Sequence, residues 1–356
     1  MINIKIGDRI IGDNAPLYFV ADIAANHDGD LNRALHLIEL AKEAGADAAK
    51  FQNFSAPKIV SRKGFDELSG QLSHQASWKK PVYEVYKDAS LSFEWTQKIK
   101  FKCDEVGIEY FTSPYDFESV DHVDPYVNVY KIGSGDITWI EIIEYMAKKG
   151  KPLMLATGAS DIQDVDRAIN AIKKHTDQIV LMQCNTNYTA SKENFKYINL
   201  NVLKTYRKTY PGVLLGLSDH TPGHSTVLGA IALGARVVEK HFTDDNNREG
   251  PDHKFAMNPA TWREMIDRAN ELDSALGDGI KRIEENEKQT VLVQRRGLRY
   301  QRNIEKGERL DAGDMMPLRP MSPEGVPPYL REMLIGKQLK VDVCADDAVK
   351  LGDIAE

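Results

Sequence analysis

Eight short apolar runs alternate with helical segments over residues 1–280 of this 356-residue chain, and this alternation limits its fold more than any other feature. Strands that alternate with helices indicate a parallel sheet, and eight such units fit a closed (β/α)8 TIM barrel of the α/β class. A doubly wound open sheet is the alternative. The turn after the first run, ANHDGD, has a single glycine and lacks the nucleotide-binding fingerprint of that fold. The eight runs begin at Leu17, Asp47, Ile108, Val127, Pro152, Gln178, Val213 and Arg236.

The segments between the runs have the periodicity of amphipathic helices. LNRALHLIELAKEAGA, which starts at Leu31, is one of them, and VDRAINAIKKH and STVLGAIALGA are two others. Gly45 and Gly234 follow two of these segments, where a left-handed residue ends a helix before the next strand. The interval between the second and third runs is the longest. We interpret it as an inserted loop followed by a helix, and a long loop at this face of a barrel is often a lid.

The pattern changes after residue 280, and we predict three parts. Residues 1–280 form the barrel, the highly charged residues 281–297 form a linker or connecting helix, and residues 298–356 form a small mixed module. A module of this size would be marginally stable alone, so we expect it to dock on another surface.

The composition excludes several classes of protein. The net charge is −7, which argues against a general binder of nucleic acid or of membrane surfaces, because phosphate backbones require a basic face. No run approaches the length of a membrane span, and the first residues lack a secretory signal, so we expect a cytoplasmic protein. The three cysteines are too widely spaced for a disulfide framework or a zinc knuckle, and we expect buried free thiols.

Polar side chains follow every predicted strand, where the catalytic groups of TIM barrels lie. Lys50 and Lys131 would need an anionic partner if buried, which indicates a phosphorylated or carboxylated substrate. The polar residues at the strand ends are Asp22, Lys50 with Gln52, Thr112, Lys131 with Ser134 and Asp136, Thr157 with Ser160, Asn185 with Thr186 and Tyr188, Ser218 with Asp219 and His220, and Glu239 with Lys240 and His241.

His220 and His241 end adjacent strands, so their imidazoles could share one divalent ion, although one capping and one core histidine is an equally simple interpretation. Asp22 and Asp136 could orient sugar hydroxyls or act as a general base, or could hydrogen-bond the following loops. Asp252 and His253 follow the eighth strand as possible ligands or substrate contacts.

Several blocks resemble the sialic acid (nonulosonic acid) synthase family over nearly the whole chain. The pair KHF and GPDH after SDHT is especially specific. The tail resembles the antifreeze-like (SAF) module of these enzymes through LRP, LIGK and DVCADD. The other matching blocks are NHDG (26–29), EAGADAAKFQ (43–52), KIGSGD (131–136), TGAS (157–160), GLSDHT (216–221) and EKHFTDDNNREGPDH (239–253).

The resemblance implies that phosphoenolpyruvate (PEP) condenses with the open-chain aldehyde of an N-acyl hexosamine and that phosphate leaves by C–O cleavage. It implies that His220 and His241 hold a divalent metal, Mn²⁺ or Mg²⁺, and that Asp22 or Asp136 is the base for water. It also implies a domain-swapped homodimer in which Arg319 reaches the sugar's N-acyl group from the partner subunit. The implied PEP contacts are Lys50, Thr112, Lys131, Ser134, Ser160, Thr186, Tyr188 and Ser218, and the implied sugar contacts are Gln52, Asp136, Tyr188, Asp252 and Arg319.

The chain departs from the family pattern in ways that leave the acceptor sugar open. The family usually has Glu where this chain has Asp22, and often where it has Asp136. The sixth-strand block reads CNTNYT where the family usually has Cys-Thr-x-x-Tyr-Pro. N-acetylmannosamine, its 6-phosphate and 2,4-diacetamido-trideoxyhexoses all remain candidates. The alternatives to the reaction are a PEP condensation on another aldose, a Schiff-base aldolase that uses Lys50 or Lys131, and a non-catalytic carbohydrate-binding or regulatory protein.

Overall fold

The computed structural model describes residues 2–68 and 73–355, and eight of its strands form a closed parallel barrel. This confirms the predicted α/β class and the TIM barrel. The barrel strands are β3 (Tyr18–Asp22), β4 (Ala48–Asn53), β5 (Glu109–Pro114), β6 (Tyr130–Ile132), β7 (Leu153–Ala156), β8 (Ile179–Cys184), β9 (Leu214–Asp219) and β10 (Ala235–His241). They follow one another around the barrel in chain order, and β10 pairs with β3 to close it.

The helices pack around these strands and bury an apolar face against them. In α1, Ala34, Leu37, Ile38 and Ala41 are buried, and the Asp30 side chain caps the helix by accepting from two backbone N–H groups. Gly45 and Gly234 both have a φ of 95°, which confirms the left-handed positions predicted for them. The helices are α1 (Leu31–Glu43), α2 (Ala56–Ile59), α3 (Arg62–Glu67), α4 (Val82–Ala89), α5 (Phe93–Val106), α6 (Phe117–Val123), α7 (Ile140–Ala147), α8 (Ile162–Lys173), α9 (Val202–Thr209), α10 (Ser225–Ala232), α11 (Pro259–Leu276) and α12 (Lys288–Gln294).

An antiparallel hairpin precedes the barrel and was not predicted. Its strands are β1 (Asn3–Ile6) and β2 (Arg9–Gly12), and Gly7 turns between them with a φ of 55°. Ile4 and Ile6 are buried while Asn3 and Lys5 are exposed, which is the alternation of a strand with one covered face.

The chain divides into two compact units, Met1–Gly277 and Asp278–Glu356. The second unit includes α12 within the predicted linker. It also contains the antiparallel strands β11 (Gly297–Tyr300) and β12 (Met315–Leu318). Its own small core includes Leu298, Tyr300 and Val349. None of the described helices is long and apolar enough to cross a membrane.

The cysteine prediction holds in two of three cases. All three thiols are free, and Cys103 and Cys184 are buried, but Cys344 in the second unit is exposed. The expectation of burial was therefore wrong for Cys344, which directly precedes the turn at residues 345–346 of the second unit.

Candidate active site

A cavity of about 360 Å³ lies at the carboxyl ends of the barrel strands. Parallel strands bring their carboxyl ends to one rim, so residues far apart in the sequence meet there. The sequence-predicted site residues that line the cavity are Asp22, Lys50, Gln52, Lys131, Ser134, Asp136, Tyr188, Ser218, His220, His241 and Asp252.

Two buried lysines share a carboxylate at the base of this cavity. Lys131 Nζ donates to Glu239 Oε1 at 2.9 Å, and Lys50 Nζ lies 3.5 Å from the same oxygen. Lys50 also donates to Asp22 Oδ2 at 2.6 Å. Buried charges are costly unless paired, so this network of two ammonium groups and two carboxylates explains how both lysines can be held inside the barrel.

The pKa values follow from this pairing. Burial raises the pKa of Glu239, but the ammonium groups of Lys131 and Lys50 outweigh burial and lower it to about 2. Burial lowers the pKa of Lys50, but Asp22 and Glu239 outweigh burial and raise it. The sequence analysis named Glu239 only as a polar residue at a strand end and gave it no role in the site. The signal was present, because Glu239 lies two residues before His241 and therefore faces the same side of its strand.

His220 and His241 lie side by side, with ring centroids 5.3 Å apart. His220 Nδ1 is 2.8 Å from the carbonyl oxygen of Asn185, to which it donates, so its Nε2 carries the free lone pair. His241 Nδ1 is buried without a hydrogen-bond partner. Burial lowers the pKa of His220 to about 3 and that of His241 to about 4, with the opposing ring contributing for His220, so both imidazoles are neutral at pH 7.

Two neutral imidazoles with available ring nitrogens are ligands for a divalent transition-metal cation, so of the two ions implied by the resemblance they fit Mn²⁺ better than Mg²⁺, which is bound almost entirely through oxygen. Within residues 2–68 and 73–355, no group of three or more His, Cys, Asp or Glu side chains is arranged to hold a metal ion.

The three aspartates that line the cavity, Asp22, Asp136 and Asp252, have different surroundings. Asp22 is tied to Lys50, and Gln52 Nε2 also donates to it at 3.2 Å. Burial raises the pKa of Asp136 to about 6, so this side chain can exchange a proton near neutral pH. Asp252 accepts from the backbone N–H of Ala25 at 3.2 Å and lies 3.9 Å from His241 Nδ1.

Hydrogen bonds of His253 connect the loop that carries Asp252 to the loop that follows the first barrel strand. His253 is fully buried, and its ring nitrogens contact Thr243 Oγ1 at 2.7 Å and Asp28 Oδ1 at 2.8 Å. Both nitrogens are thus occupied, so His253 is a structural bridge rather than a free ligand. In the same loop, Asp244 accepts two hydrogen bonds from Arg33.

Three predicted contacts from the barrel unit do not line the cavity. Thr112 is buried on the other side of its strand, where its hydroxyl donates to Asn53 Oδ1 at 2.7 Å, and the adjacent Ser113 lines the cavity instead. Ser160 donates to the carbonyl of Thr157 at 2.7 Å. Thr186 packs against Gly158, where a side chain would collide with its methyl group. Arg319 belongs to the second unit, where its Nε donates to the carbonyl of Gln294.

The sequence analysis also missed an aromatic surface at the cavity mouth. It is formed by Phe54, Trp78, Tyr86 and Tyr115, of which Trp78 and Tyr86 come from the long interval between β4 and α5. The long interval was the available signal that this part of the chain covers the site, but periodicity could not tell which of its residues point inward.

Three comparisons with known proteins agree with one another. The profile of the NeuB family matches residues 37–281. The chain is 32% identical to the N,N'-diacetyllegionaminic acid synthase of Campylobacter jejuni, over 93% of this chain and 98% of that protein. It is 30% identical to the human N-acetylneuraminate-9-phosphate synthase, over 96% and 93%. The crystal structure of the Bacillus subtilis spore coat polysaccharide biosynthesis protein SpsE has a TM-score of 0.65 at 29% identity and covers 99% of both chains.

Proposed function

Because the chain belongs to the NeuB family, we propose that it is a nonulosonic acid synthase that condenses PEP with the aldehyde of an N-acyl hexosamine and releases inorganic phosphate. The observation that carries this proposal is the pair of buried, charged lysines beside two neutral histidines in one cavity. The lysines suit an anionic substrate and the histidines suit a divalent cation, which are the two requirements of this reaction.

Lys50 and Lys131 would bind the anionic groups of PEP. In this chain both lysines already contact Glu239. Bound PEP would therefore compete with the carboxylates of the site for the two ammonium groups. Ser113, Ser134 and Ser218 line the same region and can donate hydrogen bonds to phosphate or carboxylate oxygens. The backbone N–H of Gly158 donates to Ser134 Oγ at 2.9 Å, which holds that hydroxyl in place.

In the reaction, PEP C3 forms a bond to the aldehyde carbon, water adds at PEP C2, and the C2–O bond to phosphate breaks. His220 and His241 would hold a divalent cation, which would polarise the aldehyde oxygen and stabilise the negative charge that develops there. Asp136 is the better candidate for the base that accepts the proton of the attacking water. Its pKa is close to neutral, whereas Asp22 is committed to Lys50.

Gln52, Tyr188 and Asp252 line the cavity beside the histidines and would contact the hydroxyl and N-acyl groups of the acceptor. The proposal includes a homodimer in which Arg319 of the partner subunit contacts the N-acyl group. Its guanidinium lies in the second unit and is exposed.

A Schiff-base aldolase is the main chemical alternative. A nucleophilic lysine must lose its proton, which enzymes achieve by lowering its pKa. Asp22 and Glu239 have the opposite effect on Lys50, because they raise its pKa. This observation favours the PEP reaction over an aldolase that uses Lys50.

Phosphate release tests the proposal directly. The purified chain is incubated with PEP, N-acetylmannosamine or a 2,4-diacetamido-trideoxyhexose, and Mn²⁺, with each component omitted in turn. We expect phosphate and a nine-carbon α-keto acid, detected by mass spectrometry, only when all three are present. Phosphate release without any acceptor, or covalent trapping of pyruvate by borohydride, would contradict the proposal.

A further inference from the structure

The four aromatic rings at the mouth of the cavity form one continuous surface, which we call the aromatic wall: Phe54, Trp78, Tyr86 and Tyr115. Phe54 lies 5.5 Å from Tyr86 and 5.9 Å from Tyr115 between ring centroids, and Trp78 lies 6.4 Å from Tyr86. The aliphatic side chains of Ile59, Val85, Ala89 and Pro251 extend this apolar lining. Such a surface binds uncharged, partly apolar groups.

The aromatic wall lies within reach of a substrate held at the histidines. The Tyr188 ring lies 4.3 Å from His220 and 4.8 Å from His74, and the His74 ring lies 5.4 Å from Trp78. The far end of a six-carbon acceptor whose aldehyde lies beside His220 and His241 would therefore reach the aromatic wall.

The charges in the cavity oppose a second phosphate group. Among the described residues that line the cavity, the ammonium groups are Lys50 and Lys131, and the carboxylates are Asp22, Asp136, Glu239 and Asp252. Both lysines already contact carboxylates, and together with the divalent cation proposed at His220 and His241 they would also have to balance PEP. Like charges close together in a cavity repel one another strongly because solvent screening is weak there.

Three cations in the segment between β4 and α5 do not add positive charge to the cavity lining. Lys79 pairs with Glu249, Lys80 with Asp88, and Arg62 with Glu84, and none of these cations lines the cavity. Residues 69–72 read Ser-Gly-Gln-Leu and include no cation.

We propose that the acceptor is an unphosphorylated N-acyl hexosamine with an apolar C6 end, a 6-deoxy sugar, whose methyl group lies on the aromatic wall. This inference rests on the proposed function and selects among acceptors that the sequence leaves open. A methyl group packs on the ring faces, whereas a hydroxyl at C6 would have to exchange its hydrogen bonds to water for one to the hydroxyl of Tyr86 or Tyr115 or to the indole N–H of Trp78, which lie at the ring edges. A phosphate there would in addition face an excess of carboxylates.

The test compares three N-acyl mannosamines that differ only at C6 and carry a methyl group, a hydroxymethyl group or a phosphorylated hydroxymethyl group. At saturating PEP and Mn²⁺, we expect kcat/KM for the methyl acceptor to exceed that of the hydroxymethyl acceptor by roughly tenfold. We expect kcat/KM for the phosphorylated acceptor to be at least about 100-fold lower than for the methyl acceptor. Equal or higher kcat/KM for the phosphorylated acceptor would overturn this inference and leave the proposed function intact. Turnover of neither these three acceptors nor a 2,4-diacetamido-trideoxyhexose with PEP would overturn both.

Two variants and a control test the aromatic wall itself. Trp78→Ala should reduce the preference for the methyl acceptor severalfold without changing KM for PEP. Val85→Lys adds a cation to the lining and should raise kcat/KM for the phosphorylated acceptor at least about tenfold. Phe101→Ala removes an exposed ring on α5 that does not line the cavity, and it should change neither value. An unchanged acceptor preference in both Trp78→Ala and Val85→Lys would contradict the assignment.

Discussion

Replacing Glu239 by glutamine removes the carboxylate that Lys131 contacts while keeping the size of the side chain. At an effective dielectric constant of about 20, the attraction across the 2.9 Å between Lys131 Nζ and Glu239 Oε1 is about 6 kcal/mol, which the cost of burying both charges largely offsets. Breaking a buried pair from one side typically costs about 3–5 kcal/mol, because the other charge stays buried. Lys50 keeps Asp22, so Lys131 is the group left without its carboxylate. We therefore expect Glu239→Gln to lower the free energy of unfolding by about 3–5 kcal/mol.

PEP should partly repair this variant, because its anionic groups can replace the lost carboxylate. The four tryptophans, Trp78, Trp95, Trp139 and Trp262, all lie in the barrel unit, so their fluorescence during urea unfolding reports on the barrel alone. Added PEP should stabilise Glu239→Gln more than the unmodified protein by about 1–2 kcal/mol, equivalent to roughly a 5- to 30-fold lower Kd.

Asp219→Asn is a matched control, because Asp219 forms an equally buried pair with Lys240 that does not line the cavity. It should lose a similar free energy of unfolding but gain no additional stabilisation from PEP. If Glu239→Gln were as stable as the unmodified protein, or if PEP stabilised both variants equally, the assignment of Lys50 and Lys131 to an anion site would be refuted.

Three further predictions concern other parts of the site. Because burial raises the pKa of Asp136 from 3.8 to about 6, the folded state holds a proton that the unfolded state has lost. Stability should therefore fall by up to about 3 kcal/mol between pH 4 and pH 6, and Asp136→Asn should abolish that fall in urea unfolding. Ser113→Ala should raise KM for PEP roughly fivefold. Thr112→Val should leave KM for PEP unchanged and lower the free energy of unfolding by about 1 kcal/mol, because it removes the hydrogen bond to Asn53. Equal effects of the two variants on KM would contradict the inward position of Ser113. His253→Phe removes the two hydrogen bonds that hold the loop carrying Asp252. It should therefore raise KM for the acceptor at least about tenfold and leave KM for PEP unchanged. Equal changes in both KM values would argue against this positioning role.

The sequence predicts the barrel well because the alternation of strands and helices repeats eight times, and the glycines at positions 45 and 234 mark two helix ends. The hairpin Asn3–Gly12 was missed although its buried isoleucines alternate with exposed residues, because two four-residue strands give a weak signal.

Which residues of a barrel strand face the cavity is harder to predict than the strand itself. The strand that contains Thr112 and Ser113 is buried on both faces, so its apolar pattern does not reveal which residues face the interior. Contacts that depend on loop packing could not be predicted either. The bridge from His253 to Asp28 joins loops more than 200 residues apart, and Trp78 faces the cavity from a segment without regular periodicity.

The fate of the bridging oxygen of PEP tests the proposed chemistry most directly. PEP labelled with ¹⁸O between C2 and phosphorus is incubated with Mn²⁺ and the acceptor that gives the highest turnover, and both products are analysed by mass spectrometry. Water that adds at C2 and expels phosphate by C–O cleavage leaves the label in the released phosphate, and the α-keto acid is unlabelled. Label retained in the α-keto acid would mean that water attacks phosphorus instead, and would contradict the reaction assigned to this cavity.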